Sequence, residues 1–116
     1  MLPATNRLTK KNDIERALKR GRLFFYGDIT LKSAKTDLPT SRITVIASLK
    51  VSKSAVKRNT LKRKIREIVR TLVLPRMKPG FDCVLLTKAA LLEKNHEDLK
   101  KTILGVFEKA RLISSS

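Results

Sequence analysis

Apolar residues recur at spacings of three and four through the middle of the chain, from Val56 onward at Leu61, Ile65, Ile68, Val69 and Leu72. At 100° per residue these positions gather within an arc of about 100°, so the spacing predicts an amphipathic helix with one buried face. Just upstream, Arg42 to Leu49 is β-branched and apolar (Ile43, Val45, Ile46), which predicts a central strand. A loop at Lys50 to Ser54 joins the two. Between Leu23 and Ala34 the period falls to two, Ile29 and Leu31 alternating with Asp28, Thr30 and Lys32. That predicts a half-buried strand around residues 29 to 34, preceded by Phe24, Phe25 and Tyr26, with Gly27 as a bulge or bend. Phe81 to Thr87 is almost continuously apolar, the pattern of a strand covered on both faces.

Caps and breakers place the remaining elements. Asn12 followed by Glu15 reads as a capping box for a first helix whose apolar face is Ile14, Ala17 and Leu18, with Gly21 as its stop. Asn95 with Asp98 opens a last helix that turns Leu99, Ile103, Leu104, Val106, Phe107 and Ala110 inward. Pro75 and Pro79-Gly80 end the central helix and the loop after it. Ala89 to Leu92 suits a short helical turn. Residues 1–116 then form a single domain, with 1–8 an extended N-terminal segment and 113–116 a frayed tail. The order is helix, two or three strands, helix, strand, helix, an α+β class built on one sheet with helices packed on it rather than a doubly wound fold.

Charge changes the picture. The chain carries 27 Lys and Arg against 10 Asp and Glu, a net charge of +17, and its pI is near 10.7, so its partner is a polyanion. From Ser48 to Arg70 nine cations face the single Glu67. On the central helix Asn59, Lys62, Arg63, Arg66 and Arg70 fall opposite the apolar face, with Arg58 on the shoulder. A solvated face normally mixes signs; this one repels itself, and an anionic partner relieves that cost. The R-N-x-x-K-R-x-x-R spacing, rich in arginine forks that suit phosphate, favours nucleic acid. Phe24, Phe25 and Tyr26 could stack on bases, but alternate strand residues must face inward, which favours a packing role.

Other chemistry is missing. His96 is the only histidine, and one histidine with the lone Cys83 cannot build a zinc site. Asp28, Asp37 and Asp82 are isolated in sequence, and no phosphate-cradling glycine loop occurs. No catalytic residue and no metal ligand is expected. No apolar run approaches membrane-spanning length, and the single cysteine suits a reduced, cytoplasmic setting. Nothing in the pattern points to a protein partner or a membrane.

Lys50 to Glu67, with Arg58-Asn59, Lys62-Arg63 and Arg66-Glu67 within it, closely resembles the signature of the protein subunit of bacterial ribonuclease P. Arg7 to Gly21 and Gly80 to Lys88 resemble that family in kind and order. The resemblance implies a single four-stranded sheet packed with three helices in the order αβββαβα, with a left-handed βαβ crossover, a ribosomal protein S5 domain 2-like fold. It also implies a function: binding the catalytic RNA subunit and the 5′ leader of precursor tRNA, with the RNA holding the magnesium and cleaving. The implied RNA contacts are Arg58, Asn59, Lys62, Arg63 and Arg66, with Lys50 and Lys53 in the preceding loop and Arg70 continuing the face. The implied leader cleft falls on Ile14, Leu18 and Lys32, where the family often carries aromatics; Leu49 stands where it often carries lysine. Two rivals share the charge. A helix-turn-helix DNA binder would need a helix, not a β-branched strand, before the basic segment. A ribosomal or other structural RNA-binding protein has similar composition and differs in lacking the R-N-x-x-K-R-x-x-R motif.

Overall fold

A computed structural model describes residues 2–114. It contains α1 (Lys11–Arg20), β1 (Arg22–Tyr26), β2 (Ile29–Lys35), β3 (Arg42–Ile46), α2 (Ala55–Ile68), β4 (Phe81–Thr87) and α3 (His96–Lys109). The strands form one sheet in the order β1-β2-β4-β3. β1 and β2 are an antiparallel hairpin, β2 and β4 are antiparallel, and β3 runs parallel to β4. The parallel pair is joined through α2, as a βαβ unit requires. This is the expected α+β order.

The near-continuous apolar run of β4 follows from its central place. Cys83 and Leu85 enter the main core with Ile29, Leu31, Ile43 and Val45, beneath Leu61, Ile65 and Ile68 of α2 and Leu99, Ile103 and Phe107 of α3. Val84 points the other way, to a smaller cluster with Leu8 and Ala17, packed around by Ile14, Leu18, Ala34, Ile46 and Leu86. Helices thus cover both faces, α2 and α3 on one and α1 on the other. Each fully buried Leu, Ile or Phe contributes roughly 1.5–3 kcal/mol.

An ion cluster fastens α1 to the sheet. Arg42 donates from Nε and Nη2 to the two oxygens of Asp82 at 2.8 and 2.7 Å, and from Nη1 to Asp13 at 3.3 Å. The bond to Asp82 raises the Arg42 pKa above its ordinary value, against a smaller opposing effect of burial. Asp82, isolated in sequence, therefore has Asp13 as a neighbour in space, but the Arg42 guanidinium lies between the two carboxylates and pairs with both, and Arg16 adds a second cation 3.5 Å from Asp13.

Several local expectations need correction. Asn12 is not a cap: α1 begins at Lys11, its N-cap is Lys10 without a side-chain bond, and Asp13 supplies the acidic group of the first turn. Gly21 does end α1, by close approach rather than by a left-handed turn, since a Cβ there would stand 2.3 Å from the Ala17 carbonyl oxygen. At Gly27 the bend holds and the bulge does not: with φ +56 it opens the two-residue turn of the β1–β2 hairpin. The N-terminal segment is not simply extended. It makes a 3-10 turn at Ala4–Asn6, buries Leu2 and Leu8, and lies along the outer edge of β3, where Arg7 pairs with Ile43. α2 runs on beyond Ile68 as a wider π-type turn, Val69–Val73, before Pro75 enters a 3-10 turn. At the other end Leu112 and Ile113 are buried in the core, because the chain turns back at Arg111 and Leu112 accepts from the Lys78 amide at 2.9 Å. The frayed tail therefore cannot begin at 113; Ser114 is exposed, and 115–116 lie outside the described residues. The Asn95 cap forms as expected, its side chain accepting from the Asp98 amide at 2.8 Å.

Candidate nucleic-acid interface

The loop before α2 is built to hold a basic helix start. Val51 is buried in the main core and pins the loop between Lys50 and Lys53, which are both exposed. Ser54 caps α2 by accepting from the Lys57 amide at 3.3 Å. Arg58 Nη1 donates to the Ser52 carbonyl at 2.8 Å. Arg58 is thus half-buried and spends part of its fork holding the loop, a role the motif does not announce.

α2 buries Leu61, Ile65 and Ile68 as the periodicity predicts. Val56 does not join them: it is 75% exposed, and at 100° per residue it stands about 140° from Leu61 around the helix. The basic residues divide into rows. Arg58, Lys62 and Arg66, four apart, form a half-buried row, and Arg66 at its end faces β3. Asn59 and Arg63 are exposed on the outer ridge. Arg70, expected as another free cation, is paired with Glu67, to which its Nε donates at 3.3 Å. That guanidinium holds the Glu67 carboxyl below the usual carboxylate range, and the pair itself adds no net charge to the helix.

Arg66 opens onto a crevice of about 190 Å³ that the sequence reading missed. Its walls include Arg7 and Thr9 of the N-terminal segment and Thr44 of β3, over Leu8 and Ile43, and no carboxylate lines it. Arg7 is held in place by a 2.7 Å bond from its Nε to the Leu2 carbonyl. Two guanidinium groups and two hydroxyls around one depression suit a phosphate oxygen. Nothing local signals this arrangement, because it arises from the pairing of the N-terminal segment with the edge of β3.

The face of the sheet under α1 is a different surface. Ile14 and Leu18 are half-buried against the cluster of Leu8, Ala17 and Val84, and Lys32 Nζ donates to the Leu18 carbonyl at 2.6 Å. The three residues do come together, but as packing and a helix-end bond. The open apolar wall beside them is on β1: Leu23 pairs with Lys32 and Phe25 with Thr30, at 48% and 51% exposure. The aromatic triplet is split accordingly. Phe24 packs against the core, Phe25 stands open on the α1 side, and the ring of Tyr26 occupies the space where any side chain at Gly105 would stand.

Among the described residues no group of three or more His, Cys, Asp or Glu is placed to hold a metal, and no helix is long and apolar enough to cross a membrane. Cys83 is buried, and burial pushes its thiol up to about 12.

Comparison with known proteins matches residues 2–111 to the family model described as Ribonuclease P. A ribonuclease P protein component from Synechococcus sp. is 34% identical, the match covering 100% of this chain and 90% of that protein. One from Microcystis aeruginosa is 32% identical over 97% of this chain and 96% of its own. The fold is shared with the RNase P protein of Staphylococcus aureus, with TM-score 0.83 and 20% identity over 94% of this chain and 98% of that one. It is shared too with the RNase P protein of Thermotoga maritima, with TM-score 0.79 and 23% identity over 89% of this chain and 96% of that one.

Proposed function

Because the chain belongs to the ribonuclease P family as a protein component of that RNA-processing enzyme, we propose that it binds the catalytic RNA subunit through α2 and the 5′ leader of precursor tRNA through the sheet face beneath α1. One observation carries the first half: Asn59, Lys62, Arg63 and Arg66 run along one side of α2 into the crevice of Arg7, Thr9 and Thr44, with no carboxylate lining it. Lys50 and Lys53 extend that surface into the loop, and Arg58 contributes while bracing it. Phosphates of the RNA neutralise the row, each contact releasing counterions.

The second half rests on position. The leader lies along Ile14, Leu18 and Lys32, as the family likeness suggests, and the open residues Leu23 and Phe25 supply the surface on which its bases pack. The protein lowers repulsion between two RNAs, and with it the cost of gathering magnesium at the RNA's own metal site. Cleavage itself is assigned to the RNA, in a cytoplasmic setting that keeps Cys83 reduced. No residue of this chain is given a catalytic role.

The test is reconstitution. Purified protein added to a bacterial ribonuclease P RNA and precursor tRNA at low magnesium should restore cleavage at the mature 5′ end. RNA-free protein should leave the same substrate intact. A folded protein that fails to restore cleavage, or that cleaves without RNA, overturns the reading.

A further inference from the structure

The flank of α2 turned away from the β3 edge has its own cavity. Lys57, Thr60, Leu61 and Lys64, at helical spacings of three and four, face the 3-10 turn Ala89–Glu93 across a groove of about 480 Å³. Its floor is apolar: Leu61, Leu91 and Leu99 are buried beneath it and Leu92 is half-buried at its side. Val56 stands at its mouth. None of these residues belongs to the RNA face described above, and the groove is large enough to enclose a small ligand.

The two walls differ in charge. Lys57 and Lys64 are exposed, and neither has a carboxylate within ion-pair distance among the described residues. On the facing wall Lys94 lies 3.9 Å from Asp28, and Glu93 offers an exposed carboxylate. A ligand that fits must be apolar on one side, anionic at the α2 wall and able to donate a hydrogen bond at the other. An unpaired nucleotide has these three properties in one unit: a flat base, a phosphate beside it, and an amino edge. We propose that this groove seats a single unpaired nucleotide of an RNA. Its phosphate lies on Lys57 and Lys64, its base packs on Leu61 and Leu92, and its amino group donates to Glu93. Lysines serve as point charges here and leave the strand free to adjust. Proteins read splayed-out bases of single-stranded RNA in this way, and carboxylates accept from base amino groups. Adenine or cytosine is therefore favoured over uracil. The inference rests on the reading of the chain as an RNA binder and adds a second contact on the opposite flank of the same helix.

The experiment is methyl and amide NMR of the full chain, titrated with short single-stranded oligoadenylate and oligouridylate at ~0.15 M salt. Oligoadenylate should shift the methyls of Val56 and Leu92 saturably and oligouridylate should shift them less. The shifts should vanish in K57A/K64A, whose exposed positions leave the fold intact, while amides of Arg63 and Arg66 still respond. In E93M, which keeps the stem and removes the acceptor, the difference between the two oligonucleotides should narrow. If Arg63 and Arg66 respond and the groove methyls stay still in wild-type protein, this inference is overturned and the RNA face stands. If nothing on either flank responds, both fall. Equal response to the two oligonucleotides removes the Glu93 contact, and groove shifts with an acidic amphipathic peptide but not with RNA make the groove a protein dock and overturn the proposal.

Discussion

Lys32 Nζ donates a 2.6 Å hydrogen bond to the backbone carbonyl of Leu18, one of the last carbonyls of α1, which have no partner within the helix. The ammonium also sits at the negative end of the helix dipole. Lys32 therefore fixes the angle of α1 over the sheet, and its charge is only partly available to a nucleic acid. Lys32→Met keeps the stem and removes the donor; urea melts should show a loss of about 1–3 kcal/mol. Phe25→Ser, at an open position, should cost about 1 kcal/mol or less. In the reconstituted enzyme it should lower affinity for precursor tRNA more than for mature tRNA. Equal weakening of both would place the leader away from β1.

Charge and packing on α2 make separable claims. Arg63→Ala removes about one phosphate contact, so the log–log salt slope of RNA binding should become shallower by roughly 0.7 to 0.9. Its stability should change by no more than about 0.5 kcal/mol. Ile65→Ala, at a fully buried position, should cost roughly 2–5 kcal/mol and leave the slope unchanged. Arg58→Ala should do some of each, because the same guanidinium holds Ser52. The measurements are RNA titrations across a salt series and urea melts of the three variants.

Arg42→Met strands Asp82, whose carboxylate is almost fully covered. Breaking one partner of such a pair costs about 3–5 kcal/mol, so the variant should melt much earlier than the parent. Arg42→Met combined with Asp82→Leu should recover most of the loss, since replacing both partners by apolar groups is far less costly than stranding one. Failure of the double variant to recover would mean that Asp13, still facing the site, needs the guanidinium as well.

Cys83 gives a pH dependence with a definite sign. Its thiol ionises near 9.0 when unfolded and near 12 in the fold, where desolvation opposes the thiolate. Above the lower value the unfolded chain binds fewer protons than the native one, so this contribution to stability is present below it and is lost as pH rises toward the upper value. The parent should therefore lose more stability than Cys83→Ala between about pH 8 and about pH 10, read as the difference in urea midpoint shifts. An equal shift in the two proteins would show that the thiol ionises freely.

The elements legible in the sequence were those whose signal is local or periodic. The α2 face Leu61, Ile65, Ile68 repeats at helical spacing, β4 is apolar throughout because both of its faces are covered, and Asn95 caps at the expected distance from Asp98. Val56 misled because three- and four-residue spacing does not extend to it from Leu61. Arg58 and Arg70 read as free cations because motif matching counts charges and not their partners. Glu67 lies three residues before Arg70 and could have been weighed; the Ser52 carbonyl could not. The crevice of Arg7, Thr44 and Arg66 depends on an N-terminal strand pairing that no local pattern encodes. The open apolar wall of β1 went unread for a related reason. Family alignment pointed to α1, whereas register across the hairpin puts Leu23 and Phe25 beyond Lys32.

The place of β4 between β2 and β3 has a consequence for synthesis on the ribosome. β3 is made some forty residues before the only strand it pairs with, and β2 is separated from β4 by a similar stretch. Until Thr87 has left the exit tunnel, the β1–β2 hairpin is the only part of the sheet that can close. During that interval, which lasts seconds at about 5–20 residues per second, α2 has no sheet to cover and Leu61, Ile65 and Ile68 lie open beside its lysines and arginines. The nascent chain is then strongly basic and at its most adhesive, next to the ribosome's own RNA. Slow codons after β4 prolong that state, because Thr87 leaves the tunnel only as later residues are added, and fast ones shorten it.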